Sequence, residues 1–355
     1  MGEPQQKKLA FAILEVLREY SDAEHRLSQR DIMDILEREY HLHADRKSIK
    51  RNLTSLMEMG YDISFKETLR QIPGRDGTPE DSYILSDFYL EREFTDAELR
   101  LLIDGLLFSK HIPYNQCKDL VEKLKGLSNR YFKSQVRFIS TLPETTPENP
   151  ELFYTIEILD EAIANSKQVT FTYNSFGTDK KLHPRRDEAG AVKRYIVNPY
   201  QMAATNGRYY LICNCENHDG IAHFRLDRIT NIRLLDTEAK PVKLAAPDGL
   251  NLPKHMAEHL YMFSGKSVPV AFRAKKEILN DIIDWFGRDV RFYDETEDTV
   301  CVRATVNWGA MRHWALQYCR HVQILSPEEL RETVAGDLIQ AAERYQKCEP
   351  SRRDV

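Results

Sequence analysis

Long apolar runs and paired cysteines are both missing from this sequence. No apolar segment approaches the ~20 residues that a membrane-spanning helix requires, and the opening residues, MGEPQQKK, contain no signal-peptide core. The six cysteines are scattered without CxxC spacing, which argues against both a disulfide framework and a zinc site. We therefore expect a cytoplasmic protein with no membrane association, no metal site and no cofactor.

Sequence motifs of the common enzyme classes are absent as well. The chain has no GxGxxG before a helix, no GxxxxGKS or GxxxxGKT phosphate loop, no HExxH and no GxSxG. Carboxylate pairs such as Asp281 with Asp284 have the ordinary explanation of a solvated helix surface. We expect no enzymatic activity and assign no catalytic residue.

The composition is that of a folded protein with several domains. A chain of 355 residues exceeds what one hydrophobic core usually holds, so two or three domains are expected. Hydrophobic residues make up 42% of the chain and charged residues 30%, with a formal net charge of −5. This charge excludes a surface that is basic throughout, so any contact with nucleic acid must be local.

Three amphipathic helices and two strands are predicted within residues 1–90. Apolar residues recur at helical spacing in 7–20, after Ser28 and after Asp45, and both of these polar residues are suitable N-caps. Two strand-like runs then flank the turn-rich sequence PGRDGTPED. This order is typical of a winged helix-turn-helix DNA-binding domain.

Positive charge is concentrated on the third helix and the strands that follow it. Residues 41–75 contain seven Lys or Arg and four acids, a local charge of +3. A helix-turn-helix reads DNA with the start of this helix, so we predict contacts with a double-stranded operator. The candidate residues are Arg46, Lys47, Lys50, Arg51, Asn52, Arg70 and Arg75. A charged run on a helix is also typical of a solvated face, so the interpretation depends on the three-helix order and the wing.

Residues 91–139 are predicted to form a helical connector. The apolar face of its first helix is wide, which suits either packing on the winged domain or a dimer seam. We favour a homodimer, because regulators that read paired half-sites are usually two-fold symmetric. Residues 140–150 and 238–264 are predicted to be linkers.

Residues 207–235, GRYYLICNCENHDGIAHFRLDRITNIRLL, read as two strands joined by a polar turn. In the second strand, alternation directs Phe224 and Leu226 inward, while Arg225 and Asp227 share the other face. A guanidinium in this position can hold phosphate or carboxylate in a fork geometry.

RYYL followed by HFRLDRI resembles the signature of the WYL domain, with Tyr209 in place of the Trp. The resemblance covers residues 151–346 and includes the upstream run IVNPYQMAATNG. It implies an Sm/SH3-like small β-barrel over residues 151–237 that binds a nucleic acid or a nucleotide as effector. The implied ligand-binding residues are Tyr200, Arg208, Tyr210, His223, Arg225 and Arg228. Structural alternatives are a core position for Tyr210, an ion pair of Arg228 with Asp227, and a structural role for His223.

Residues 265–347 alternate strands and helices and are similar to the WCX extension, which implies a ferredoxin-like α+β module. The predicted fold class is therefore α+β with several domains. The predicted function is a ligand-responsive, DNA-binding transcriptional regulator. The alternative is an accessory protein that binds single-stranded DNA or RNA beside a prokaryotic defence effector. Sequence-specific duplex binding distinguishes the two.

Overall fold

The structure is a computed structural model that describes residues 3–73, 79–109, 111–135, 149–247 and 249–347. The chain divides into two compact units, Met1–Glu148 and Asn149–Val355. Helices and antiparallel sheets occur in both, which confirms the predicted α+β class. No helix in the ranges above is long and apolar enough to cross a membrane.

The first unit begins with three helices and a two-stranded antiparallel sheet, as predicted. The helices are α1 (Glu3–Tyr20), α2 (Gln29–Tyr40) and α3 (Arg46–Glu58), and the strands are β1 (Ile63–Pro73) and β2 (Pro79–Leu90). Both predicted N-caps are in place. The Ser28 hydroxyl accepts the Asp31 backbone N–H at 3.2 Å, and the Asp45 carboxylate accepts that of Ser48 at 2.7 Å. These bonds satisfy backbone N–H groups that the start of a helix leaves unpaired.

One hydrophobic core joins the three helices to the sheet. Each helix contributes apolar residues spaced three or four apart, and the most deeply buried are Ile13, Leu17, Ile32, Leu36, Ile49 and Leu53. Phe88 of β2 completes this core. Leu27 and Phe88 also exchange two backbone hydrogen bonds of 2.8 Å. The outer face of α3 is therefore held at a fixed position relative to the β1–β2 hairpin.

The connector consists of three helices rather than the two predicted. They are α4 (Asp96–Phe108), α5 (Tyr114–Lys125) and α6 (Arg130–Gln135). Leu99 and Ile103 of α4 are fully buried, but Leu101 and Phe108 on the same helix are 73% and 67% exposed. The connector thus covers only part of its own apolar surface.

Asn129, just before α6, ties the connector to the end of α1. Its amide donates to the Ser21 carbonyl at 3.3 Å and to the Asp22 carboxylate at 2.6 Å. Burial alone would raise the pKa of Asp22, but hydrogen bonds from His25, Asn129 and Glu24 hold it below its usual value. The carboxylate is therefore ionised at neutral pH and fixes the loop around it.

The second unit opens with a helix and a six-stranded antiparallel sheet. The elements are α7 (Leu152–Ala164), β3 (Lys167–Phe176), β4 (Leu182–Pro184), β5 (Arg194–Thr205), β6 (Arg208–Cys215), β7 (Ala222–Arg225) and β8 (Ile229–Glu238). The strand order is β4-β3-β5-β6-β7, and β8 pairs with β3. Leu211, Ile212 and Cys213 are all fully buried. Consecutive buried residues show that β6 is covered on both faces.

The second of the two strands predicted within residues 207–235 is interrupted. A 3-10 turn at Leu226–Arg228 separates β7 from β8. Strand β7 pairs with β6 before the turn, and β8 pairs with β3 after it. No ladder of hydrogen bonds joins β7 to β8 among the described strands, so this sheet is not a closed barrel. The Sm/SH3-like small barrel predicted for residues 151–237 is therefore not confirmed by this sheet.

A chain of buried side-chain amides crosses this sheet. Gln168 of β3 donates to Asn198 of β5 at 3.0 Å, and Asn198 donates to Asn214 of β6 at 3.0 Å. Asn214 in turn donates to the carbonyls of His218 and Gly220 in the turn before β7. Because a buried amide without partners is costly, this chain of bonds fixes the strand register and the position of the turn.

The segment predicted as a second linker, 238–264, contains two short helices. These are α8 (Val242–Ala245) and α9 (Leu252–Glu258). Side chains of Leu252 and Met256 pack against a small buried cluster formed by Ala203, Ile212 and Met262. The segment is therefore attached to the sheet rather than being a free connection.

The remaining elements form a second antiparallel sheet with helices. They are β9 (Ser267–Lys275), α10 (Leu279–Phe286), β10 (Arg291–Tyr293), β11 (Thr299–Asn307), α11 (Trp308–Gln317), β12 (Val322–Ser326) and α12 (Glu328–Lys347). The strand order is β10-β11-β9-β12. Trp314 is fully buried at the centre of this core, against Phe272 and Phe286. These aromatic residues therefore fill the core of this sheet and its helices.

Candidate functional site

Four cations lie together on the outer face of α3. Arg46, Lys47, Lys50 and Arg51 are all exposed, and none of them forms an ion pair within the part of the chain that the structure describes. Their spacing of one, four and five positions places them on one side of the first two helical turns. This surface therefore carries four positive charges that no acidic side chain of the described chain neutralises.

The remaining predicted DNA-contacting residues differ in their placement. Asn52 is only 7% exposed, and its amide donates to the Ser48 carbonyl at 2.7 Å. The prediction that it faces outward is wrong, because its position on α3 belongs to the buried stripe. Arg70 is exposed on β1, opposite Ser82 of β2. Arg75 lies outside the described residues.

In the second unit, a buried ion pair organises the predicted effector site. Asp227 is fully buried, and Arg225 donates two hydrogen bonds to its carboxylate, one from Nε at 3.0 Å and one from Nη2. Burial alone would lower the pKa of Arg225, but the hydrogen bond and charge of Asp227 raise it above its usual value. Arg225 is thus engaged by the protein and is not free to form the two-pronged grip predicted for a ligand.

The backbone around Asp227 is fixed by two buried asparagines. Asn149 donates to the carbonyls of Asp227 at 3.3 Å and Ile229 at 2.7 Å. Asn174 of β3 donates to the Arg228 carbonyl at 2.9 Å. These bonds satisfy carbonyl groups that the 3-10 turn leaves outside any strand ladder, and so they hold Arg225 and Arg228 in place.

Two further arginines surround this pair and leave an excess of positive charge. Burial lowers the pKa of Arg208, and the charges of Arg225 and Arg228 lower it further, although Asp227 offsets part of that effect. The guanidinium of Arg228 lies over the ring of Phe176, 5.7 Å from its centre. Of the three arginines, only Arg225 forms an ion pair with Asp227 in the described chain, so a bound anion would offset the remaining positive charge.

Aromatic rings lie beside these arginines. Tyr210 is the cross-strand partner of Arg225, and burial raises its pKa while Arg225 and Arg208 lower it. The hydroxyl of Tyr173 accepts the Arg225 backbone N–H at 3.2 Å, and the guanidinium of Arg185 stacks over the Tyr173 ring at 5.0 Å. Sequence reasoning did not select Tyr173 or Arg185. The signal available was the basic run HPRR at 183–186 after a strand rich in aromatics.

The other two predicted ligand-binding residues, Tyr200 and His223, form no hydrogen bond with the arginines in the described chain. Burial raises the pKa of Tyr200 to about 12, with Cys213 as a further cause, and its buried hydroxyl has no hydrogen-bond partner among the described residues. His223 instead meets His255 and His259. Its Nε2 is 2.7 Å from Nε2 of His255, and the ring centres of His223 and His259 are 5.1 Å apart.

Comparison with known families identifies two domains in this chain. Residues 154–234 match the WYL domain, and residues 266–342 match the WCX domain. The chain therefore contains a WYL domain followed by a WCX domain. The arginine cluster, which comprises Arg208, Arg225 and Arg228, lies within the WYL domain, whereas α9 lies between the two matches.

Two solved structures are similar to the chain at low identity. One is proteasome accessory factor B/C (PafBC) of Arthrobacter aurescens, with 17% identity, a TM-score of 0.28 and coverage of 96% of this chain and 48% of that one. The chain thus spans about half the length of that protein. The other is a CRISPR Cas-related protein, with 13% identity, a TM-score of 0.35 and coverage of 97% and 85%. No curated protein sequence matches the chain.

The ion pair in the WYL domain predicts different effects for two neighbouring arginines. Arg225→Ala leaves Asp227 charged, buried and unpaired, so we expect a loss of roughly 3–5 kcal/mol in local stability. Arg208→Ala removes a repelled cation and should cost less than about 1 kcal/mol. Hydrogen exchange of residues 208–238, followed by mass spectrometry, measures both. Equal protection in the two variants would contradict this assignment.

Proposed function

We propose that this WYL-domain protein is a non-catalytic, DNA-binding transcriptional regulator whose effector is a nucleic acid or a nucleotide. The observation that carries the proposal is the set of four exposed cations on α3 without acidic partners in the described part of the chain. In a chain with a net charge of −5, such a local surface favours a polyanion as its partner.

The first unit supports a winged helix-turn-helix assignment. Helix α3 follows α2 after a short turn, and its cations lie at its N-terminal half, which is the part that enters the major groove in such domains. The β1–β2 hairpin extends next to it and carries Arg70. We propose that α3 contacts bases and phosphates of an operator, while the hairpin contacts the backbone beside it.

The DNA-binding proposal predicts a change in both affinity and salt dependence. Lys50→Ala with Arg51→Ala should weaken binding to a mixed-sequence duplex, because two phosphate contacts are lost. The slope of log K against log salt should fall by about one unit for each lost contact. Fluorescence anisotropy of a labelled duplex at several salt concentrations measures both quantities.

A matched control removes the same charge elsewhere in the first unit. Lys8 on α1 and Lys118 on α5 are both exposed, and Lys8→Ala with Lys118→Ala should leave affinity and slope unchanged. If the two double variants weaken binding equally, only the net charge matters and α3 is not the reading helix. A parent protein that binds single strands but no duplex would instead favour an accessory protein of a defence effector.

The effector site is proposed at the arginine cluster of the WYL domain. Arg225 is held by Asp227, so Arg208 and Arg228 supply the charge that a ligand can use. Tyr210 and the Arg185–Tyr173 pair provide flat surfaces beside them. Guanidinium and aromatic groups together are the usual means of holding single-stranded nucleic acid or a nucleotide.

Replacing Arg208 tests the effector site without breaking the buried pair. Arg208→Ala should weaken binding of a short labelled single-stranded oligonucleotide by about ten-fold, since a charge-assisted contact contributes about 1.5–3 kcal/mol. The control is Arg233→Ala, which removes an exposed arginine from β8. The comparison should be repeated with mononucleotides. Unchanged affinity for every probe in Arg208→Ala would place the effector elsewhere.

A homodimer through the connector is proposed from its exposed apolar residues. Leu101, Leu102 and Phe108 of α4 are 73%, 44% and 67% exposed, which is unusual for large apolar side chains on a single helix. A second copy of the chain would cover them and would match the two-fold symmetry of paired half-sites. The WCX-type module, with the strand order of a ferredoxin-like fold, is proposed to contribute to the same assembly.

Light scattering tests the dimer with a closely matched pair of variants. The parent chain should show about twice its mass of 41.4 kDa at micromolar concentration. Leu101→Glu should convert it to a monomer, because the new charge would be buried in the interface. Leu244 is 72% exposed on α8, and Leu244→Glu should leave the dimer intact. A monomeric parent would contradict the proposal.

A further inference from the structure

Three histidines from separate parts of the second unit come together beside β7. His223 lies on β7, His255 lies in α9, and His259 follows the last turn of that helix. One ring nitrogen from each lies within 4.8 Å of the others. His255 and His259 are four positions apart, the spacing that puts two side chains on one face of a helix.

The surrounding structure brings the two histidines of α9 to the sheet. The amide of Asn206, at the turn between β5 and β6, donates to the Leu260 carbonyl at 3.1 Å. The His223 backbone N–H donates to the Ser264 hydroxyl at 3.4 Å. Leu252 and Met256 pack on the buried cluster next to the histidines. Hydrogen bonds and apolar packing therefore hold the three rings in position beside the sheet.

The three histidines bring ring nitrogens together, and a metal ion would replace the 2.7 Å contact between Nε2 of His223 and Nε2 of His255. Nδ1 of His259 lies 2.9 Å from the His255 carbonyl. Because a carbonyl only accepts, Nδ1 carries the proton and Nε2 carries the lone pair. Nδ1 of His223 is buried and has no hydrogen-bond partner in the described chain.

We propose that His223, His255 and His259 bind one divalent transition-metal ion, with Zn²⁺ as the best fit. Imidazole nitrogen suits zinc and its neighbours, whereas Mg²⁺ and Ca²⁺ require oxygen ligands. Three protein ligands and one water are a common zinc arrangement. Tetrahedral zinc with bonds of ~2.0–2.1 Å needs nitrogens about 3.4 Å apart. The 2.7 Å separation between His223 and His255 and the 4.8 Å limit for the set bracket that value.

The metal ion would connect α9 to β7. It would thereby attach the segment between the WYL and WCX domains to the sheet that contains β7. His223 is two residues from Arg225 on β7, so the two side chains share a face of that strand. The ion would therefore lie on the same face of β7 as Arg225. This inference does not depend on DNA binding or on the identity of the effector.

Metal binding to the full chain tests the proposal directly. After treatment with a chelator, the protein is dialysed against Zn²⁺ and its metal content is measured by mass spectrometry. We expect one ion per chain and a higher melting temperature with Zn²⁺ than without it, because the ion binds only the folded state. A Co²⁺-loaded sample should show the spectrum of a tetrahedral nitrogen site without thiolate bands.

Variants of the cluster and a matched control complete the test. His255→Ala should weaken Zn²⁺ binding by more than about 10-fold and abolish the rise in melting temperature. His255→Gln serves the same purpose if the alanine variant does not fold. His218 is exposed in the turn before β7, and His218→Ala should bind Zn²⁺ as the parent does. Failure of the parent to bind an ion, or an unchanged affinity in both His255 variants, would overturn the proposal.

Discussion

The buried carboxylate of Asp227 constrains everything around it in the second unit. A charged group without solvent must be paired, and Arg225 meets that need with two hydrogen bonds. To bring these two side chains together, the chain leaves β7 through a 3-10 turn, whose carbonyls are then satisfied by Asn149 and Asn174. The same turn separates β7 from β8, and β8 pairs with β3 instead.

Once Arg225 is neutralised, the remaining cations define the chemistry of the site. Burial and the charges of neighbouring arginines lower the pKa of Arg208. A bound anion would stabilise its charged form. Arg228 rests over an aromatic ring and has a buried Nε without a hydrogen-bond partner among the described residues. Both features support the proposal of a nucleic-acid or nucleotide effector, which supplies negative charge and a flat surface together.

The sequence predicted most helices and strands and which of their faces are exposed, but it could not predict which side chains contact each other. The cations of α3 are exposed, as helical periodicity requires. The same periodicity places Asn52 in the buried stripe, between Ile49 and Leu56, and Asn52 is buried. Strand alternation placed Arg225 near Asp227 but could not show that they bind each other. His255 and His259 were overlooked because the Pro- and Gly-containing run around them is typical of a linker. Their partner, His223, is 32 residues away from His255, and only tertiary structure joins them.

Strand β7 has only four residues and pairs with β6 alone among the described strands. His223 and Arg225 occupy alternate positions on it, so they move as one body. A shift of β7 along β6 would therefore displace the His223 and Arg225 side chains together. A substitution that moves β7 to change the position of Arg225 would therefore also change the distance of His223 from His255 and His259.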